Sequence, residues 1–224
     1  MLHQAERAAE SSAEGTRERI LSAALDLFGE RGLTGTTVRD IAARAKVNVA
    51  AISYHFGGKD ELYRAVAACI AERLFTQIGH RAASVIEVQP SDPQAALQAL
   101  ETLLETVLDV IVGPPEMRRV ARFMLREQMQ PTAAFDVLYG SLSRLHVAAC
   151  RLLAAASGSE PEAAETRLRA FMIVGQVLVL RVAEAAVQRR LEIESYDAAF
   201  LISAKTLLKE NIRAIVAAGR ENRP

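Results

Sequence analysis

Apolar residues recur at every third or fourth position along nearly the whole chain, and no run alternates polar and β-branched residues between turns. That period belongs to helices with one buried face, so the chain is predicted to be all-α, with nine helices. A first helix starts at Thr16, a suitable N-cap, aligns Ile20, Ala24, Leu27 and Phe28 on one stripe and stops at Gly32. The second begins at Thr36 or Thr37 and buries Val38, Ile41 and Ala42. Only Lys46 to Asn48 separates it from a very short third helix, about Val49 to His55, which turns Ile52 inward. So short a connection forces a sharp angle between the two. After Phe56, Gly57 and Gly58, a fourth helix opens with Lys59, Asp60 and Glu61, buries Leu62, Val66, Cys69, Ile70 and Leu74, and runs to about Arg81.

Breaks at Pro90 to Pro93, Gly113 to Pro115, Pro131, Ser157 to Pro161 and Glu194 to Tyr196 leave helical segments near 94–112, 115–129, 132–156, 161–191 and 196–218. The last two are apolar on more than one side. Phe171, Val174, Gly175 and Leu178, then Phe200, Leu201, Ala204 and Leu208, exceed what one core-facing stripe needs, which points to a subunit interface and a homodimer. The expected organisation is a flexible arm over 1–15, a small helical domain over 16–66 whose last helix continues to about 81, and a larger helical domain over 82–224.

Composition narrows the function. Hydrophobic residues make up 50% of the 224 and charged residues 24%, with no Trp, which describes a folded helical protein rather than a disordered one. Twenty-seven basic and 27 acidic residues cancel, so contact with nucleic acid has to be local. Residues 16–81 hold ten Lys or Arg against seven Asp or Glu, a modest excess of the right sign. Cys69 and Cys150 are too few for a disulfide framework or a zinc site and read as small buried apolar residues in a reducing, cytoplasmic compartment. Residues 1–15 have three Glu, one Arg and no apolar core, unlike a signal peptide. The most lipophilic run, Ala170 to Leu180, contains Gln176, stops at Arg181 and is too short to span a bilayer. No GxSxG elbow, phosphate-cradling glycine loop or HExxH pair is found, and four scattered histidines make no metal cluster, so neither an enzyme nor a cofactor is expected.

The stretch TRERILSAALDLFGERGLTGTTVRDIAARAKVNVAAISYHFGGKDELYRAV, about residues 16 to 66, closely resembles the DNA-binding domain of the TetR family. In the C-terminal half, REQMQPTAAFDVLY at 126–139 and the pair Gly175–Gln176 look like the subgroup typified by CecR. The resemblance implies an N-terminal helix-turn-helix, a C-terminal ligand-binding and dimerisation domain, a palindromic operator in double-stranded DNA, and a small hydrophobic or antibiotic-like effector. Two positions depart from the family pattern: Lys46 stands where Gly usually makes the turn, at the cost of a positive φ, and Gly58 where Ser commonly caps the fourth helix.

The residues agree with that reading. With Val38, Ile41, Val47, Ile52, Phe56 and Phe28 as core, Asn48, Val49, Ala50, Ser53 and Tyr54 are left to face the major groove. Thr36 and Thr37 sit where a helix N-terminus meets a phosphate, and the resemblance puts Tyr54, His55 and Lys59 on the DNA backbone. His55 could equally cap or pack. Arg39, on the exposed face of the second helix, either bonds guanine or is held at the surface by Asp40. For the effector, Phe123, Arg126, Glu127, Gln128, His146 and Gln176 are polar or aromatic groups among apolar ones, each also explicable by packing alone. Gln176 in an apolar stretch needs partners from a ligand, another helix or a symmetry mate. The implied mechanism is a population shift in which effector binding swings the fourth helix and alters the spacing of the recognition helices. The alternatives are a helical small-molecule carrier with a vestigial DNA-binding domain, and a regulator controlled by a protein partner.

Overall fold

The computed structural model describes residues 2–86 and 92–221 and, within them, all side chains except those of 2–12, 83–86, 141 and 221. The described residues form ten helices and no strand: α1 (Leu2–Arg31), α2 (Val38–Ala45), α3 (Val49–Phe56), α4 (Lys59–Ile86), α5 (Pro93–Ile111), α6 (Met117–Met129), α7 (Ala133–Ser157), α8 (Ala164–Val182), α9 (Glu184–Leu191) and α10 (Ala198–Glu221). The all-α reading holds, with two differences. Helix α1 begins at Leu2 rather than Thr16, in a segment of Ala, Glu, Gln and Arg that all favour helix. The segment expected over 161–191 is two helices bent by 76°, at Ala183, where neither Pro nor Gly announces a break.

The chain divides into two compact units that are not contiguous in sequence. Unit 1 comprises Met1–Ala71 and Arg118–Leu138; unit 2 comprises Glu72–Met117 and Tyr139–Pro224. Residues 118–138, part of the larger domain in the sequence reading, thus pack with the smaller one.

In unit 1 the stripe Ile20, Ala24, Leu27 and Phe28 of α1 is buried together with Ile41, Ile52, Leu62 and Val66, as the spacing predicts. Cys69 departs from it: the thiol lies on the exposed side of α4, while Cys150 is buried. The connection between α2 and α3 is Lys46, Val47 and Asn48. Lys46 caps α2 in the left-handed region, φ 55° and ψ 49°, and its N–H reaches the carbonyls of Ala42 and Ala43. At the end of α1, Gly32 has φ 74°, so glycine is needed for conformation, while the Arg126 guanidinium that a Cβ would meet at 2.9 Å is a flexible side-chain end that can move aside.

Unit 2 is organised by an antiparallel pair, α5 and α10. Asp109 pairs with Lys205 at 2.7 Å, Glu105 with Lys209 at 2.9 Å and Glu101 with Arg213 at 2.7 Å. The four-residue step on both helices aligns three ion pairs beside a core of Leu100, Leu104, Leu108, Leu208, Ile212 and Val216. Two of the pairs are partly exposed and the third joins an exposed Arg213 to a buried Glu101. Partly exposed pairs contribute little energy each, but the set discriminates against a slipped register.

The C-terminus of α5 is closed by a residue distant in sequence. Arg181 is buried; it donates from Nε to the Ile111 carbonyl at 2.9 Å, from the guanidinium to the carbonyls of Val112 and Pro114, and pairs with Glu184 at 2.6 Å. Its donors satisfy carbonyls that a helix end leaves open. Arg181→Met keeps the length and removes the donors. Leaving buried carbonyls unpaired should cost about 2–4 kcal/mol in urea unfolding; a loss under about 0.5 kcal/mol would show that water replaces the guanidinium.

Candidate nucleic-acid interface

The α2–α3 pair is shaped by local hydrogen bonds. Thr37 is the N-cap of α2: its Oγ1 accepts from the Asp40 N–H at 3.1 Å, while the Asp40 carboxylate accepts from the Thr37 N–H at 3.1 Å and hydroxyl at 2.7 Å. This reciprocal box was readable as T-x-x-D in the sequence. The Thr37 hydroxyl, its N–H and, less strongly, Arg31 at 3.9 Å hold the Asp40 carboxyl below its ordinary range. Asn48 caps α3, its Oδ1 accepting from the Ala50 N–H at 2.9 Å. Both helices therefore start with fixed ends.

On α3, Ile52 is buried, while Val49, Ala50, Ser53 and Tyr54 form an exposed stripe, with Tyr54 85% exposed. Asn48 is exposed beside it. Valine, alanine and serine are short enough to let the helix approach base edges closely, and Tyr54 projects from the same face. His55 is half-buried, its ring edge-on to Tyr54 at 5.1 Å. Arg39 is exposed on α2. The Asp40 carboxylate turns to Thr37 and Arg31, so of the two alternatives for Arg39 the one in which Asp40 holds it at the surface is not what the described residues show.

Two residues are placed differently from the sequence reading. Thr36 is fully buried, and its hydroxyl donates to the carbonyls of Gly32 at 2.8 Å and Leu27 at 3.2 Å. It closes the end of α1 and cannot meet a phosphate from this position. Lys59 is half-buried, its Nζ donating to the carbonyls of Leu33 at 3.0 Å and Thr36 at 3.2 Å, so two of its three donors serve the loop before α2.

The six positions nominated for an effector are divided between the units. In unit 1, Phe123 is fully buried with its ring 4.9 Å from that of Tyr63, which meets Phe28 edge-on at 4.7 Å. Arg126 donates to the Glu30 carbonyl at 3.1 Å. Glu127 is fully buried and accepts from the Tyr63 hydroxyl at 2.5 Å, the Thr132 N–H at 3.1 Å and the Thr132 hydroxyl at 3.0 Å. Burial and the Glu127 carboxylate hold the Tyr63 phenol far above its usual range, so Tyr63 stays a donor. Gln128 is exposed. Phe123, Arg126 and Glu127 are engaged in building unit 1, where Arg119 is also bonded to Ser22 and 3.6 Å from Asp26 on α1. Tyr63 carried no sequence signal, because its partner is 64 residues away.

In unit 2, the His146 ring lies 3.9 Å from that of Phe171, with Nδ1 3.7 Å from Cys150 Sγ and a buried Nε2 that has no partner among the described residues. Burial pushes the Cys150 thiol up from its ordinary value. Gln176 accepts from the Asn211 side chain at 2.8 Å, which answers the demand that its amide find a partner.

Of the residues nominated for an interface, Phe171 and Leu178 are exposed on α8, where Leu168, Met172, Val179 and Val182 extend the same apolar stripe. Val174, Gly175, Phe200, Leu201 and Ala204 are partly exposed, and Phe200 stacks on Tyr196 at 4.1 Å. Leu208 is the correction: it is buried in the core of its own unit, one helical turn from Ile212. Among the described residues no single helix is long and apolar enough to cross a membrane, and no group of three or more His, Cys, Asp or Glu could hold a metal ion.

Residues 20–66 match the bacterial regulatory proteins of the tetR family, and residues 96–219 match the family described as HTH-type transcriptional dual regulator CecR, C-terminal domain. The chain is 32% identical to the dual regulator CecR of Shigella flexneri over 189 residues, 82% of this chain and 83% of that protein. It is 33% identical over 104 residues to the transcriptional repressor NicS of Pseudomonas putida, 46% of this chain and 45% of that one. Among solved structures, a transcriptional regulator from Pseudomonas aeruginosa aligns with a TM-score of 0.67 at 19% identity, covering 92% of this chain and 93% of the other. A TetR-like regulator from a Rhodococcus species aligns with a TM-score of 0.59 at 24% identity, covering 93% and 97%. At these identities the two structures speak for the fold.

Replacing Thr37 by Ala removes the α2 cap and should lower stability by about 1 kcal/mol. Asp40 has a depressed carboxyl, so its contribution is complete above the ordinary carboxylate range and is lost as pH falls through the lower folded value. The stability difference between wild type and Asp40→Asn should accordingly stay constant above about pH 4 and shrink below it. A difference independent of pH from 7 to 2 would mean that the charge of Asp40 plays no part.

Proposed function

Because the chain belongs to the TetR family of transcriptional regulators, with a C-terminal domain of the CecR type, we propose that it is a cytoplasmic repressor that grips a palindromic operator as a homodimer and releases it when a small hydrophobic effector binds the C-terminal part of the chain. That it is a DNA-binding transcriptional regulator follows from the family. The observation that supports direct readout is the exposed stripe Val49, Ala50, Ser53 and Tyr54 on a helix capped at both ends.

Arg39 contacts a base from α2, and Tyr54, His55 and the remaining donor of Lys59 meet phosphates, while Thr37 spends both its donors on Asp40. Homodimerisation is supported by the apolar stripe of α8, where Phe171 is 58% and Met172 62% exposed. A two-fold pairing through it presents two recognition helices to half-sites about 34 Å apart. Release works by population shift: an effector that prefers a conformation with a different separation of the recognition helices lowers operator affinity, and operator lowers effector affinity by the same factor. Binding and release of this kind require no catalysis, metal or cofactor.

Binding is tested by fluorescence anisotropy of the purified protein on palindromic DNA from upstream of its own gene, at two salt concentrations, with and without a panel of hydrophobic antibiotics. Tight, salt-dependent binding relieved by one compound is the expected result; binding that no compound relieves would favour control by a protein partner, and no DNA binding would favour the carrier. Phe171→Glu places a charge in the apolar stripe, and sedimentation should then show a monomer whose operator affinity falls at least tenfold. A dimer of unchanged mass would move the interface elsewhere.

A further inference from the structure

Arg17 lies on α1, outside the helix-turn-helix, and nothing in the spacing of the chain connects it with DNA. Its guanidinium sits over the ring of Phe56, 5.4 Å from the centroid. Phe56 is the last residue of α3 and follows Tyr54 and His55 directly. Arg17 is exposed, and among the described residues no carboxylate pairs with it. Of the two acidic residues beginning the next helix, Glu61 is paired with Arg64 at 2.6 Å, and Asp60 is exposed and forms no ion pair with Arg17 among the described residues. We propose that Arg17 is a further phosphate contact of the operator complex, held in place by Phe56.

The geometry of a guanidinium supports this. A cation held over a ring is attracted by the ring's electrons and gives none of its N–H donors to a conventional acceptor there. Two of those donors match a phosphate bidentately, and the ring restricts the side chain before DNA arrives. The eight residues of α3 span roughly 12 Å, about the width of the major groove. A helix-turn-helix reads bases with the N-terminal part of its recognition helix, so the C-terminal end emerges at the groove wall, where phosphates run. Lys59, the other cation beside that end, already gives two donors to carbonyls. Among the described residues Arg17 is thereby a cation near the end of α3 with no hydrogen bond or ion pair of its own.

The assignment rests on the operator-binding reading above, and the experiment separates the two. A duplex selected from random DNA by the wild-type protein is titrated by anisotropy between 50 and 200 mM salt. Arg17→Met keeps an apolar chain over Phe56 and removes the charge, so the thermal midpoint should stay near wild type. The slope of log affinity against log salt should fall by about 0.9 per half-site, about 1.8 for a dimer, so that the deficit of the variant shrinks roughly tenfold from 50 to 200 mM. Arg17→Lys should recover most of the slope. Arg19, whose guanidinium bonds Thr16 on the same helix, is the control, and Arg19→Ala should leave the slope unchanged. An unchanged slope in Arg17→Met, or an equal loss in Arg19→Ala, overturns the assignment while operator binding stands. Failure of the wild type to select any duplex overturns both.

Discussion

Glu127 is a carboxylate with no exposure to water, and an ionised group so placed costs several kcal/mol unless its lone pairs are occupied. Here they are, by the Tyr63 hydroxyl and by the N–H and hydroxyl of Thr132. The same Tyr63 ring lies between Phe28 and Phe123, so one cluster joins α1, α4 and α6. Helices α1 and α4, which flank α2 and α3 in the chain, are thus packed against residues from its middle. Removing any partner of Glu127 would leave a buried acceptor short, which makes the position of α6 in unit 1 discrete rather than adjustable.

Around that cluster, polar residues divide their work. Thr36, Lys59, Asp40 and Asn48 spend their hydrogen bonds on the backbone at helix ends, and this holds α2 and α3 in a fixed relation. The face left over consists of small side chains with Tyr54, and the positive groups around it include Arg39 and Arg17. The contacts that support this face are internal, so it is ordered before any partner arrives, which lowers the ordering cost on binding.

Unit 2 follows a different rule. Its register is set by three ion pairs between α5 and α10 and by Arg181 at the end of α5, while α8 keeps a row of large apolar side chains exposed. A folded chain seldom leaves so many together unless another surface covers them. The bend at Ala183 ends that row by turning the chain into α9.

Local order was legible in the residues. Period, caps and glycines located α2, α3 and the start of α4, the Lys46–Asn48 turn, and the outward face of α3, because these depend on interactions within a few residues. Spacing also marked α8 as too apolar for one core. The sequence could not say that Thr36 points inward, that Cys69 is exposed, that Leu208 belongs to its own core, or that Phe123 and Glu127 serve the DNA-binding unit, because each is decided by a partner many residues away or by which side of a helix finds cover. What the sequence determined by itself is therefore the helical class, most of the helix positions, the family and the local faces, through short-range hydrogen bonding and periodicity; the break between α8 and α9 and the start of α1 were not among them. Which polar groups are consumed in packing and which remain free for DNA was decided only by tertiary structure, because a side chain's availability depends on neighbours that sequence distance does not reveal.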